Sequence, residues 1–224
     1  MDGRLISIDH DGPVATLTIR RPEKKNALSI AVRDEVSDAL DELAPRIETS
    51  VVIITGEGDT FSAGFDLTEF GDPSEAHQQA LWASSDRFHH TVMRFPVPTI
   101  AAVNGPALAG GFDLACLCDI RVAADTARFA HPEQRWTTVL YRIVRDLVGG
   151  AVARDLVLTG RSIDAVEALR VGLVAAVVPP DQLLDAVRER AATISAAPRD
   201  ELIRTKAKIV AAIGVPVGAP TLDF

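Results

Sequence analysis

Two short runs of apolar or β-branched residues, "VVIIT" at 51–55 and "TIAAV" at 99–103, constrain the fold of this chain more than any other feature. An uninterrupted run of that kind has no polar face to turn to water. It predicts a strand covered on both sides, as in a parallel sheet packed between layers. Ahead of the first run, "RLISI" and "VATLTI" alternate apolar and polar residues about a turn in "DHDGP", which predicts a hairpin. "SIAVRDEVSDALDELAP" predicts a helix capped by Ser29, with Val36, Leu40 and Leu43 on one face and Pro45 past its end. A second helix is expected from the upper seventies to Phe95. Leu81, Ser85, Phe88, Val92 and Phe95 share its stripe, and Pro96 and Pro98 stop it. "DIRVAA" and "ARFA" follow as strands. From about 138 the pattern is mostly helical, with "LVAAVV" as one further strand. Strands alternating with helices predict an α/β domain with a largely parallel sheet.

Composition removes several classes of function. At 224 residues and 47% hydrophobic, the chain can bury a core of one large domain or two small ones. A net charge of −8 opposes general nucleic-acid binding, and 5% aromatic content offers little surface for stacking bases. Cys116 and Cys118 lie two apart in one predicted helix and point to different faces, so they should not pair, and no spacing suits a metal. The opening "MDGRLISIDHDG" has no apolar signal core, and no stretch is long enough to span a membrane. The expectation is a soluble cytoplasmic protein.

Each buried run leads into a glycine site: "TGEGDTFSAGFDL" at 55–67 and "NGPALAGGFDL" at 104–114. Small residues just past a strand end are where α/β proteins bind ligands. Glycine lets the backbone come close, and the first N–H groups of a helix have no internal partner and can meet a negative oxygen. One N–H from each site would make an oxyanion hole. A dinucleotide fold is the weaker rival, because "GEGDTF" lacks the third glycine. Asp113 stands in the first turn of the helix that follows Gly110, where the dipole favours its charged form. Glu133, in "FAHPEQRW", comes 20 residues later, after a strand and a return loop. Two carboxylates over an oxyanion hole suit proton transfer beside a carbonyl.

These segments resemble the crotonase superfamily, the enoyl-CoA hydratases and isomerases. The resemblance runs to about residue 210. It is carried by "RPEKKNALS", "ITGEGDTFSAGFDL", "PTIAAVNGPALAGGFDLACLCDIRVAADTARFAHPE" and "LTGRSIDAVEALRVGLVAAVV". It implies a crotonase-like spiral of ββα repeats over 1–195 and a shortened helical C-terminal region with an irregular tail over 196–224. It implies an oxyanion hole from the N–H groups of Phe65 and Gly110, with Ala109 in place of the first glycine of the family's triplet. Asp113 would stand for one of the hydratases' two glutamates and activate water for attack at Cβ, and Glu133 would deliver a proton to Cα. Coenzyme A would lie along Arg21, Lys24, Lys25, Ala27, Ala63, Gly64, Asp66 and Leu67. Arg20 belongs to the same basic cluster, from which at least one side chain would meet phosphate. Asp66 is expected to cap the next helix, and His131 to pack or bond locally.

The implied activity is hydration of a 2-enoyl-CoA thioester, with no cofactor beyond the substrate and no metal. An isomerase or decarboxylase of the same superfamily is the nearest alternative, and a non-catalytic acyl-CoA binder another. Three departures bear on the choice. Aspartate is shorter than glutamate by one methylene, roughly 1.5 Å. The segment "QRWTTVLYRIVRDLVGG" has no glycine between Glu133 and Gly149, and Leu140, Tyr141 and Arg142 stand where a dienoyl isomerase carries a further aspartate. The chain ends in "VPVGAPTLDF", expected to be irregular, where the family has further helices. Leu202, Ala207, Ile209 and Ile213 of the last helix therefore lack cover within the chain. A homotrimer, or a hexamer of two trimers, is expected to supply it.

Overall fold

The computed structural model describes residues 4–224, so the first three residues of the opening segment lie outside the described residues. Strands β1 (Ile6–Asp11) and β2 (Val14–Ile19) form the hairpin, closed by a tight turn at Gly12, whose φ of 54° suits glycine. β1 runs through Asp9 and His10 to Asp11, so the turn is shorter than "DHDGP" suggests. Helix α1 (Ile30–Leu43) begins where Ser29 accepts a hydrogen bond from Val32 N–H. Next come β3 (Val51–Gly56), α2 (Glu75–Met93), β4 (Thr99–Val103), β5 (Ala107–Leu108) and α3 (Gly110–Leu117). They are followed by β6 (Ile120–Ala124), β7 (Arg128–Ala130) and α4 (Arg142–Thr159), which is interrupted at Gly149. The chain finishes with β8 (Ile163–Asp164), α5 (Ala165–Arg170), β9 (Ala176–Val178), α6 (Leu183–Ser195) and α7 (Arg199–Ile213).

The large sheet has the order β1-β2-β3-β4-β6-β9 and is parallel apart from the hairpin. β3 and β4 lie in its middle, and every one of their residues is buried. Their alternate side chains enter two cores. Val52, Ile54, Ala101 and Val103 face the core filled by α1, α2 and α3. Val51, Ile53, Ile100 and Ala102 face Leu183, Val187 and Ala191 of α6. That double cover is why neither strand carries a polar face.

A second layer of short strands gives the spiral. Leu28 pairs in parallel with Phe65, Ser62 with Ala107, and β5 with β7, and β8 pairs antiparallel to β7. Each turn of chain thus lays one strand in the large sheet and one extended segment in the small stack, then adds a helix. This is the ββα repeat implied by the resemblance.

The end of the chain is more ordered than its proline and glycine content suggests. Thr221–Asp223 forms a 3-10 turn, and both the N–H and the hydroxyl of Thr221 donate to Asp86 of α2. The Phe224 carbonyl accepts from the N–H groups of Tyr141 and Arg142, at the start of α4. The Phe224 ring packs edge-on to His89 and His90.

Candidate active site

Asn26 organises the first wall of the site. It is buried with φ of 52°, its side-chain N–H₂ donates to the carbonyls of Glu57 and Thr60, and its Oδ1 accepts from Arg21 N–H. The "RPEKKNALS" turn is thereby fastened to the "GEGDTF" loop. Ala63 N–H donates to Lys25 O, and Leu28 N–H to Gly64 O. Gly64 has φ of 92°, and a side chain there would meet Ala109 and the Leu108 carbonyl.

The backbones of Phe65 and Gly110 meet at this junction. A Cβ placed on Gly110 would lie 3.6 Å from Phe65 N and 2.6 Å from the Phe65 ring, so only glycine allows this approach. Gly110 is the first residue of α3 and its N–H has no place in the helix ladder. Among the described residues neither N–H donates to another group. The Phe65 ring is held by the Arg33 guanidinium, 4.2 Å from its centroid. Arg33 itself is buried and donates to Leu28 O, Leu81 O and Ser84 Oγ.

Asp113 lies one turn into α3 and is only 7% exposed. Its Oδ1 is 2.7 Å from His131 Nε2, and its Oδ2 is 3.8 Å from His89 Nε2. Glu133 follows His131 by two residues on the 3-10 turn Pro132–Arg135. One atom each of Asp113, His131 and Glu133 lie within 4.8 Å of one another. Strand β7 and its pairing with β5 bring that turn back over the start of α3. Such a trio could hold a divalent cation. However, the 2.7 Å between Asp113 and His131 is a hydrogen bond's spacing, shorter than the roughly 3.3 Å between two ligands of one zinc ion.

The two carboxyls are pushed apart in acidity. Burial alone would raise Asp113, but His131 and then His89 outweigh it and hold the group below the usual carboxylate range. Burial pushes Glu133 up to about 7; the Asp113 charge adds to this, and His131 opposes it. His131 goes up despite its burial, because Asp113 stabilises its charged form. Among the described residues, three buried side-chain polar atoms lack a hydrogen-bond partner: His89 Nε2, His131 Nδ1 and Glu133 Oε2. All three belong to side chains gathered at Asp113.

The residues expected along coenzyme A divide into two groups. Arg21 is bound to Asp66 at 2.7 Å and to Ala27 O, and Arg20 pairs with Glu57 at 3.5 Å, so both guanidinium groups are engaged inside the loop. Lys24 and Lys25 are exposed, and Lys25 sits in a left-handed turn. Ala27 and Ala63 are half-buried, Gly64 is buried and Leu67 is exposed. Asp66 accepts from Thr68 N–H and hydroxyl and caps the turn Leu67–Gly71, as expected. Those bonds lower its pKa, with Arg21 helping against burial. His131 bonds locally, but to Asp113. Arg33 and His89 carried no signal in the sequence: both lie on helix faces otherwise read as apolar stripes.

Comparison with known proteins agrees with the fold. The family described as "Enoyl-CoA hydratase/isomerase" matches residues 9–219. The probable enoyl-CoA hydratase echA8 of Mycobacterium bovis is 41% identical over 200 residues, 85% of this chain and 75% of that protein. The enoyl-CoA hydratase of Bacillus anthracis superposes with a TM-score of 0.89 at 32% identity, covering 96% of this chain and 85% of its own. A monofunctional enoyl CoA isomerase from M. smegmatis superposes with a TM-score of 0.82 at 31% identity, over 95% of both chains. With the ββα spiral, the paired glycine sites and a match over nearly the whole sequence, the chain belongs to the enoyl-CoA hydratase/isomerase family.

Proposed function

We propose that the protein hydrates 2-enoyl-CoA thioesters. The observation that carries the reading is the opposed acidity of Asp113 and Glu133 beside two unpartnered N–H groups. The thioester oxygen would sit on the N–H groups of Phe65 and Gly110, which stabilise the negative charge of an enolate. Asp113, ionised, accepts a proton from water as the water oxygen attacks Cβ. Glu133, neutral, gives its proton to Cα. The C=C π bond and one O–H bond of water break, C–O and C–H bonds form, and the proton gained by Asp113 returns to Glu133 through solvent. Opposite starting protonation states are what this addition needs.

Lys24 and Lys25 are exposed cations that would meet the phosphates of coenzyme A, and Arg21 holds Asp66 and the Ala27 carbonyl so that the Ala63–Leu67 segment keeps its shape. No further cofactor enters the scheme, and the cytoplasm is its setting, in keeping with two buried, unpaired cysteines. No described helix is long and apolar enough to cross a membrane. The half-exposed apolar side of α7 supports assembly as a homotrimer, or a hexamer of two.

The assay follows loss of the enoyl thioester absorbance with crotonyl-CoA and longer substrates; absence of turnover at every chain length rejects the reading. Isomerisation is the second reading, favoured by the hydrogen bond that occupies one Asp113 oxygen. It predicts conversion of 3-enoyl-CoA that survives Asp113→Asn but not Glu133→Gln.

A further inference from the structure

We propose that His131 is a positioning residue for Asp113: its Nε2–H holds Oδ1, fixing the carboxylate and leaving Oδ2 as the oxygen that takes the reacting water. The inference rests on the hydration reading and goes beyond it.

The donor direction follows from elementary chemistry. An ionised carboxylate can only accept, so His131 Nε2 carries the proton in the 2.7 Å bond to Oδ1. On the other side, His89 Nδ1 lies 2.8 Å from the Ser85 carbonyl, which also can only accept, so that proton is on Nδ1. His89 Nε2 stands 3.8 Å from Oδ2, too far for a direct bond. The two oxygens of Asp113 are thus unequal. Oδ1 has a donor from the protein, and among the described residues Oδ2 has none within hydrogen-bond reach. Water has two.

His131 is well placed to aim the group. It is fully buried, tilted against the Phe112 ring at 4.6 Å between centroids, and followed by Pro132. The turn that carries it also carries Glu133, so the proposed acid and the orienter of the proposed base move as one piece. An aspartate has two side-chain torsions, and nothing else among the described residues bonds Oδ1. The ionisable groups facing the pair are His89 on α2, Glu133 on the shared turn and Cys116 along α3. Burial pushes the Cys116 thiol up, so it stays uncharged near neutrality.

The test compares wild type with H131F, which keeps a ring against Phe112 but has no donor, and H131Q, whose amide keeps one. Carboxyl-labelled aspartate is followed by carbon NMR, with D113N identifying the signal of Asp113. In H131F the Asp113 midpoint should move upward, because burial is then less opposed. The acid limb of kcat/KM for crotonyl-CoA should move with it. kcat should fall about 10–100-fold, with KM within about twofold of wild type. H131Q should recover most of the loss. Should circular dichroism reveal H131F to be unfolded, H131N takes its place with the same expected shifts, since its amide falls short of the Nε2 position. An Asp113 midpoint and acid limb unmoved in the folded variant overturn the proposal, as does H131Q as impaired as H131F. The NMR measurement needs no turnover. Absent hydratase activity with a His131-dependent Asp113 midpoint rejects the function and retains the positioning, and normal turnover with an insensitive Asp113 does the reverse.

Discussion

Asp113 and Glu133 carry the same functional group and titrate in opposite directions because of what surrounds each. Both are taken out of water. Asp113 meets a hydrogen-bond donor and a helix N-terminus, whereas for Glu133 burial dominates and the opposing charges of His131 and Asp113 do not offset it. In the hydration direction Glu133 must start protonated, so kcat/KM should fall as pH rises through about 7, approaching tenfold per unit. It should also fall in acid, below the usual carboxylate range, as Asp113 gains a proton. A pH profile with no alkaline limb near 7 would count against Glu133 as the acid. Stability should follow the same group. The folded value of about 7 lies above the ordinary glutamate value of 4.5, so between them the folded chain keeps a proton that the unfolded chain has released. What the neutral carboxyl contributes is lost as pH rises through that window. Glu133→Gln removes the ionisation, and should raise Tm by about 2–4 °C at pH 8 with little change at pH 5, while costing about 10²–10⁴-fold in kcat. A Tm equally changed at both pH values would mean that the effect is packing.

At the scale of elements, the start of α3 is where strain and function meet. Ala109 has φ of 51° and ψ of −130°, a conformation that an L-residue adopts only at a cost of about 1–3 kcal/mol. Its N–H is fixed by Ala130 O, and its carbonyl accepts from Phe112 and Asp113. Ala109→Gly should therefore stabilise the chain by about 1 kcal/mol in denaturant unfolding. Gly111→Ala should do the opposite, because its Cβ would fall 2.7 Å from Ser62 Cβ and closer still to the Ser62 carbonyl. Backbone cannot yield as a flexible side chain can, and a loss of about 2–4 kcal/mol is expected. The glycines themselves are legible in the sequence, since such a run demands a close approach or unusual dihedrals. What approaches them is not: the contact between α3 and the Ser62–Phe65 segment exists only once β3 and β4 lie side by side. The same holds for His89. In the sequence it is one polar residue beside the stripe of α2, and its meaning appears only when α3 brings Asp113 against it. The strands were legible because burial on two faces leaves its mark on every residue of β3 and β4. The order of the tail was not, because its partners, Asp86 and the first N–H groups of α4, are distant in sequence.

At the scale of the whole molecule, α7 buries only Lys206 of its own side chains. Lys206 is buried in an ion pair of 2.6 Å with Asp119, which also accepts from Thr99 N–H and hydroxyl, and Arg199 donates to the carbonyls of Ala44 and Thr49. These contacts seat one side of the helix. The other side leaves Ile209 44% exposed, with Leu202 and Ile213 partly so. Beside it runs a groove of about 590 Å³ lined by Phe95, Pro96, Ile203, Ala207, Val210 and Val215. Apolar side chains along a groove bordered by charged ones are the composition of an interface rather than of a washed surface. A second copy of this chain is the proposed occupant, and a closed ring of three follows if one face repeats the same contact. Light scattering after size exclusion should then give about 72 kDa, three times the chain mass of 23.9 kDa, or twice that for a hexamer. Ile209→Glu places a charge in the contact and should shift the protein towards a single chain while circular dichroism stays unchanged, because the residue is not part of either core. A wild-type chain that runs as a folded monomer at micromolar concentration would remove the need for a partner. The exposed side of α7 would then have to be explained by some other surface that lies on it.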